Sequence, residues 1–128
     1  MERVVLQDMT TLEGPGGATA VSFYQQKGRW LWAARADNVV LTVEILEMKA
    51  ATTEPSLIIE TAPDAGGPWT TVDSWNAPGT HTLFLGREPT YAADQQVQGF
   101  LRWRLAEVAN GGAWTACFRI TAVIEPPG

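Results

Sequence analysis

The sequence Ser56 to Val72, SLIIETAPDAGGPWTTV, contains a strand, a turn and the start of a second strand. The run Leu57 to Ile59 is apolar and mostly β-branched, which favours extended backbone. The segment PDAGGP, Pro63 to Pro68, follows it. Proline ends a strand, while Asp and Gly adopt the conformations that a tight reversal needs. Trp69 then opens a run of Thr and Val, so the stretch predicts a β-hairpin.

Alternation of apolar and polar residues predicts further strands on both sides of this hairpin. A period of two residues places alternate side chains on one face of a strand. The clearest examples are Val39 to Ile45, Phe100 to Leu105, with Leu101, Trp103 and Leu105 inward, and Trp114 to Ile124. Glu2 to Met9 and His81 to Gly86 also read as strands, and Ala18 to Ala33 reads as two strands joined in a hairpin. Leu46 to Ala51 is either a helical turn or the exit of a strand.

Strands at a spacing of about ten residues, without a long amphipathic helix, predict an all-β fold. We expect an antiparallel two-sheet β-sandwich, jelly-roll-like, of about eight strands, with an up-and-down barrel as the alternative. A chain of 128 residues suits one domain. We therefore expect a single domain over residues 1–128 with short flexible ends. Arg87 to Gln98 is the longest irregular stretch, either a short helix or a loop crossing between sheets.

Composition excludes several classes of function. Hydrophobic residues make up 45% and charged residues 18% of the chain, which argues against disorder. The net charge of -5 argues against a nucleic-acid partner. No apolar run reaches the roughly 20 residues of a membrane span, and the start is too short and polar for a secretory signal. We expect a protein that is cytoplasmic as synthesised, and the hypothesis of a structural protein adds its incorporation into a particle.

The hairpin and the Leu-Arg-Trp-Arg-Leu strand together resemble discoidin-type, galactose-binding-like jelly rolls. The matching residues are Ile59 to Asp64, Gly66, Trp69 and Leu101 to Leu105. The resemblance implies a jelly-roll fold and a glycan ligand. The cysteines that usually tie such domains together are absent, and Ala65 separates Asp64 from Gly66, so the ligand-binding loops are not carried over. In general character the chain also resembles small structural proteins of tailed phages.

Residues for catalysis or metal binding are sparse. The one histidine, His81, has no nucleophile in a recognisable context, and a single cysteine, Cys117, excludes an internal disulfide and a cysteine-rich zinc site. Cys117 lies among apolar neighbours, so we expect it to be buried and inert. Glu44 and Glu60 are a candidate carboxylate pair if their strands are adjacent. We predict no enzyme, no cofactor and no resident metal, with calcium held by loop oxygens as an open alternative.

The excess of tryptophan is the most informative feature for binding. Trp103 and Trp114 lie on inward-facing alternations, which predicts core positions. The other tryptophans lie at strand ends, where a ring either closes the end of the sandwich or contacts a partner. Two arginines share one strand face about 7 Å apart and pair either with Glu60 or Glu44 across the sheet or with carboxylates of a neighbouring subunit. The predicted binding or interface residues are Trp30, Trp32, Trp69, Trp75, Arg102 and Arg104.

The favoured hypothesis is a non-enzymatic structural or interaction protein. It self-associates or docks on a larger assembly, such as a phage-like virion in which it is a decoration, head or tail accessory component. The alternative is a carbohydrate-binding module with Trp69 or Trp75 as the platform, and a hydrolase with a carboxylate pair ranks last. The expected partner is protein, with glycan as the alternative, and neither nucleic acid nor membrane.

Overall fold

The computed structural model describes residues 2–33, 36–86 and 96–125, which form nine β-strands and one short 3-10 turn. The 3-10 turn covers Lys27–Arg29. The strands are β1 Glu2–Gly14, β2 Ser22–Tyr24, β3 Leu31–Trp32, β4 Asn38–Ala50, β5 Ser56–Ala62, β6 Thr70–Trp75, β7 Gly79–Gly86, β8 Phe100–Ala106 and β9 Trp114–Glu125.

The strands form two antiparallel sheets. The four-stranded sheet has the order β1-β9-β4-β7, and the five-stranded sheet has the order β2-β8-β5-β6, with β3 also paired to β8. If β2 and β3 are taken as one interrupted strand, each sheet has four strands and the order is that of a jelly roll. The predicted all-β, antiparallel, two-sheet sandwich of jelly-roll type is confirmed.

The predicted hairpin is formed by β5 and β6. Its register pairs Leu57 with Trp75 and Thr61 with Thr70. Within the turn, Asp64 Oδ1 accepts a hydrogen bond from the Gly66 backbone N–H at 2.9 Å, and the Asp64 carbonyl accepts one from the Gly67 N–H at 3.0 Å. Asp64 therefore accepts hydrogen bonds from two backbone N–H groups of the turn, one through its side chain and one through its carbonyl, and this is the usual role of aspartate in such reversals.

The hairpin predicted within Ala18 to Ala33 is wrong. Both β2 and β3 pair antiparallel with β8, Tyr24 opposite Arg104 and Leu31 opposite Leu101. The chain therefore keeps its direction from β2 to β3, and the residues between them bulge out of a single edge strand.

The side chain of Gln25 explains this interruption. The side chain is buried, and its Nε2 donates to the backbone carbonyls of Leu6, at 2.8 Å, and of Arg29, at 2.9 Å. Its Oε1 accepts a hydrogen bond from the backbone N–H of Trp103, with 3.2 Å between nitrogen and oxygen. The carboxamide thus ties β1, the 3-10 turn and β8 together, and the Trp103 N–H from which it accepts is a backbone group of β8 next to the interruption of the edge strand.

Other boundaries are also settled. Strand β4 continues to Ala50 and pairs with β9 along its length, so Leu46 to Ala50 is strand and the helical alternative is wrong. Strand β1 extends beyond Met9 to Gly14 and has irregular register between Val5 and Thr10. Most of the predicted irregular stretch, residues 87–95, lies outside the described residues, as do residue 1 and residues 126–128 at the expected flexible ends.

The core lies between the sheets and is built from the inward faces of the alternating strands. Trp103 and Trp114 are buried there, as predicted. The Trp103 ring contacts Phe118 edge to face at 4.9 Å, and its Nε1 donates to Gln7 Oε1 at 3.1 Å. Each buried indole has a partner for its N–H, since Trp114 Nε1 donates to Glu107 at 2.6 Å. The largest fully buried side chains include Phe118, Leu41, Leu57, Ile59, Leu101 and Leu105.

We predict that Gln25→Ala destabilises the fold by at least about 2 kcal/mol, because it leaves buried backbone groups without hydrogen-bond partners. The matched control is Gln26→Ala, since Gln26 is exposed, and a change there stays within about 0.5 kcal/mol. Urea unfolding of both variants measures the difference. Equal stabilities of the two variants would contradict the role given to the Gln25 side chain.

Candidate functional site

Five of the six predicted site residues meet on the outer face of the five-stranded sheet. The two-residue period of β8 turns Leu101, Trp103 and Leu105 into the core, so that Arg102 and Arg104 lie on the opposite face. Neighbouring strand β5 places Glu60 opposite Arg102 in the same register. Side chains from β2, β3 and the β5–β6 turn complete the surface.

Glu60 is the charged centre of this face. It is 3% exposed, and its two carboxylate oxygens accept separate hydrogen bonds, from Arg102 Nε at 2.6 Å and from Arg104 Nε at 3.1 Å. Arg104 Nη1 also donates to Ser22 Oγ at 3.2 Å. Of the two acidic partners weighed from the sequence, Glu60 is therefore the one that pairs with the arginines. Glu44 pairs instead with Arg119, in the four-stranded sheet.

Three aromatic rings surround the Arg102 guanidinium. Its Cζ lies 3.6 Å from the centroid of the Trp69 ring, 4.7 Å from that of Tyr24 and 5.0 Å from that of Trp30. These are cation-π distances. The Arg102 side chain is only 12% exposed, so it is held by the carboxylate on one side and by the rings on the others.

The aromatic contacts continue beyond the arginine. Trp30 packs edge to face against Trp69 at 5.0 Å and against Phe100 at 5.9 Å, and Trp32 lies 4.6 Å from Phe100. The Trp30 Nε1 donates to the Gln25 carbonyl at 2.9 Å, which fixes its ring. We call this surface the aromatic-arginine face: Tyr24, Trp30, Trp32, Trp69, Phe100, Arg102 and Arg104.

Two rings at the margins of this face are open to solvent. Trp32 is 55% exposed and Tyr24 is 54% exposed, whereas Trp30, Trp69 and Phe100 are half-buried. Trp32 follows Leu31, which points into the core on β3, so the strand period alone turns Trp32 outward. The face thus has a packed centre and projecting aromatic margins.

Trp75 is the one predicted site residue that lies elsewhere. Its ring stacks on His81 with centroids 4.8 Å apart and an interplanar angle of 13°, and it packs against the core. Trp75 ends β6 and His81 lies in β7, so the stack joins the two sheets at their edge. This is the position of a ring that closes the open side of the sandwich, the alternative considered for each strand-end tryptophan.

Sequence reasoning missed Tyr24 and Phe100 as members of the face. Phe100 precedes Arg102 by two residues on β8, so its place on the same side follows from the strand period. Tyr24 ends β2 opposite Arg104, and only the pairing of β2 with β8 brings it there. Strand pairing between distant segments is not encoded in a local pattern.

The structure also places the glutamates and the cysteine considered for chemistry. Glu44 and Glu60, a candidate pair only if their strands were adjacent, do not form a pair, because they lie in different sheets, on β4 and β5. Cys117 is half-buried rather than buried, because Ala116 and Phe118 take the inward positions of β9 and turn Cys117 outward. Its Sγ lies 3.5 Å from the exposed Met9 Sδ.

The described residues also bear on metal and membrane association. Among residues 2–33, 36–86 and 96–125, no group of three His, Cys, Asp or Glu side chains is arranged to hold a metal ion. In the same part of the chain, no helix has the length and apolar character to cross a membrane.

Comparison with known proteins gives similarity of shape to solved structures. No family model matches the chain, and no curated protein sequence matches it. A solved structure described as "Bacillus endospore appendages form a novel family of disulfide-linked pili" aligns with a TM-score of 0.44 at 15% identity, over 99% of this chain and 93% of that chain.

We predict that Glu60→Ala lowers the free energy of unfolding by about 3 kcal/mol or more, because it leaves two largely enclosed guanidinium groups without their anion. The matched control is Glu44→Ala, which removes the same residue type from a more exposed pair with Arg119. That change should cost less than about 1 kcal/mol. Chemical denaturation compares the two, and similar losses would argue against a special role for Glu60.

Proposed function

We propose that this chain is a non-enzymatic structural or interaction protein that self-associates, or docks on a larger assembly, through the aromatic-arginine face. The observation that carries the proposal is the contiguous set of rings on one sheet face, with Trp32 and Tyr24 more than half exposed. A monomeric protein seldom exposes contiguous apolar groups of this kind without a partner.

The residue types and their rigidity both favour a protein partner. Trp, Tyr and Arg are the side chains most enriched at the energetic centres of protein interfaces. Here Trp30 is fixed by a hydrogen bond, and Trp69 is fixed between Trp30 and Arg102. Binding would therefore order few additional side chains, which lowers its entropic cost.

A specific form of this proposal is a subunit of a phage-like particle, as a decoration, head or tail accessory protein. Its support is the small sandwich scaffold together with an exposed binding face. Electron microscopy of the assembled protein distinguishes this form from other assemblies, because a closed shell or ring differs from an open fibre.

A glycan is the alternative ligand, and Trp32 is the residue that favours it. The sequence suggested Trp69 or Trp75 as the ring on which a sugar stacks, but each ring is already in contact with another side chain. Arg102 lies against Trp69, and His81 stacks on Trp75. Trp32 has the most exposed indole of the face, which suits stacking against a sugar. Titration of wild type and Trp32→Ala with a glycan panel, followed by tryptophan fluorescence, tests this alternative.

We predict that Trp32→Ala raises the dissociation constant of self-association about thirtyfold, the effect of losing a hot-spot side chain worth about 2 kcal/mol. The matched control is Phe84→Ala, because Phe84 is 62% exposed on the four-stranded sheet. Light scattering over a range of concentrations measures both variants.

Three outcomes distinguish self-association through the aromatic-arginine face from nonspecific association and from carbohydrate binding. A loss of association in Trp32→Ala alone supports the aromatic-arginine face as the interface. Equal losses in both variants would indicate nonspecific hydrophobic association instead. A wild-type monomer at every concentration, together with a glycan response that Trp32→Ala abolishes, would replace the proposal by the carbohydrate-binding reading.

A further inference from the structure

Within residues 2–33, 36–86 and 96–125, the aromatic-arginine face has more positive than negative charge. Among the described residues, Glu60 is the one carboxylate within ion-pair distance of Arg102 or Arg104. Two guanidinium groups thus share one carboxylate, which leaves one positive charge in excess. The chain as a whole has the opposite balance, with 14 acidic and 9 basic residues and a net charge of -5.

The arginines also retain unused hydrogen-bond donors. Arg102 donates to Glu60 through Nε, and Arg104 donates through Nε and Nη1. A guanidinium carries five N–H groups, most of them on its two terminal nitrogens. In the described part of the chain, no buried side-chain nitrogen or oxygen lacks a partner. The terminal nitrogens without a protein partner are therefore open to solvent.

The surroundings strengthen any contact made with these donors. The two side chains are 12% and 25% exposed, so both are largely enclosed and Arg104 is the more accessible of the two. Rings of Tyr24, Trp30 and Trp69 flank Arg102. Such apolar walls lower the local dielectric constant, and charge-assisted hydrogen bonds are stronger there than in open water.

From this geometry we infer that the partner group bound by Arg102 and Arg104 is a carboxylate of a second copy of this chain. The inference rests on the proposed function, since self-association brings the second copy to this face. A carboxylate matches the planar guanidinium fork and cancels the excess charge. Each copy has an excess of acidic residues, and Asp64 and Asp73 are examples that lie exposed on a turn and on an edge strand.

The test removes the excess charge and keeps the internal pair. In Arg104→Gln, Glu60 remains paired with Arg102, so the fold should be retained, and urea unfolding verifies this. We expect the dissociation constant of self-association to rise at least tenfold, the effect of losing a hydrogen-bonded charge pair. We also expect that raising NaCl from 50 to 500 mM increases the dissociation constant of Arg104→Gln less than that of wild type. Arg104→Lys retains the charge and should keep the salt dependence.

The matched control is Arg119→Gln, which removes an arginine from the Glu44 pair of the other sheet and should leave association unchanged. If Trp32→Ala weakens association but Arg104→Gln behaves like wild type at both salt concentrations, the carboxylate inference is overturned and the aromatic interface stands. If wild type is monomeric throughout, or Trp32→Ala has no effect, self-association through the aromatic-arginine face fails, and this is the part of the proposed function on which the inference rests. A loss in Arg104→Gln that Arg119→Gln reproduces would also overturn the inference, because bulk charge would then explain it.

Discussion

The aromatic-arginine face depends on strand β8, whose side chains alternate between the core and the outer surface. Leu101, Trp103 and Leu105 are buried between the sheets, and this fixes the strand against rotation. Arg102 and Arg104 are then held on the opposite side at the spacing of alternate residues. A change of register by one residue would exchange the two sets, so the face and the core are specified by the same constraint.

Glu60 converts this geometric constraint into an electrostatic one. A buried carboxylate is costly to desolvate, and two guanidinium partners together with cation-π contacts offset that cost. Strand β5 is buried along most of its length, so Glu60 has no exposed alternative position. The pair therefore fixes which side chains of β5 and β8 lie opposite each other, a role in specificity that we consider more important than its contribution to stability.

The turn residues Pro63 to Pro68 predicted the hairpin of β5 and β6, and the period of two residues was sufficient to predict most of the strands and the buried positions of Trp103 and Trp114. It was not sufficient for β2 and β3, because their interruption depends on Gln25 bonds to Leu6 and Trp103, which are 19 and 78 residues away. Five of the six predicted site residues meet on one face, because the three tryptophans at strand ends and the two outward arginines of β8 all lie in or beside strands of the five-stranded sheet. Trp75 does not join them, because β6 ends at the edge where the sheets meet and its ring faces His81.

The exposed margins of the aromatic-arginine face favour a binding surface over a purely structural cluster. If the rings served only to shield Glu60 and its arginines, Tyr24, Trp30 and Trp69 would suffice, because these three rings flank the Arg102 guanidinium. Trp32 instead contacts Phe100 and projects with 55% of its area exposed, and Tyr24 also leaves more than half of its area exposed. In protein interfaces, a ring of apolar contacts around a central polar contact excludes water from that contact. An apolar margin around partly enclosed charges has this arrangement. We therefore propose that a partner completes the enclosure and that its carboxylate neutralises the guanidinium in excess of Glu60.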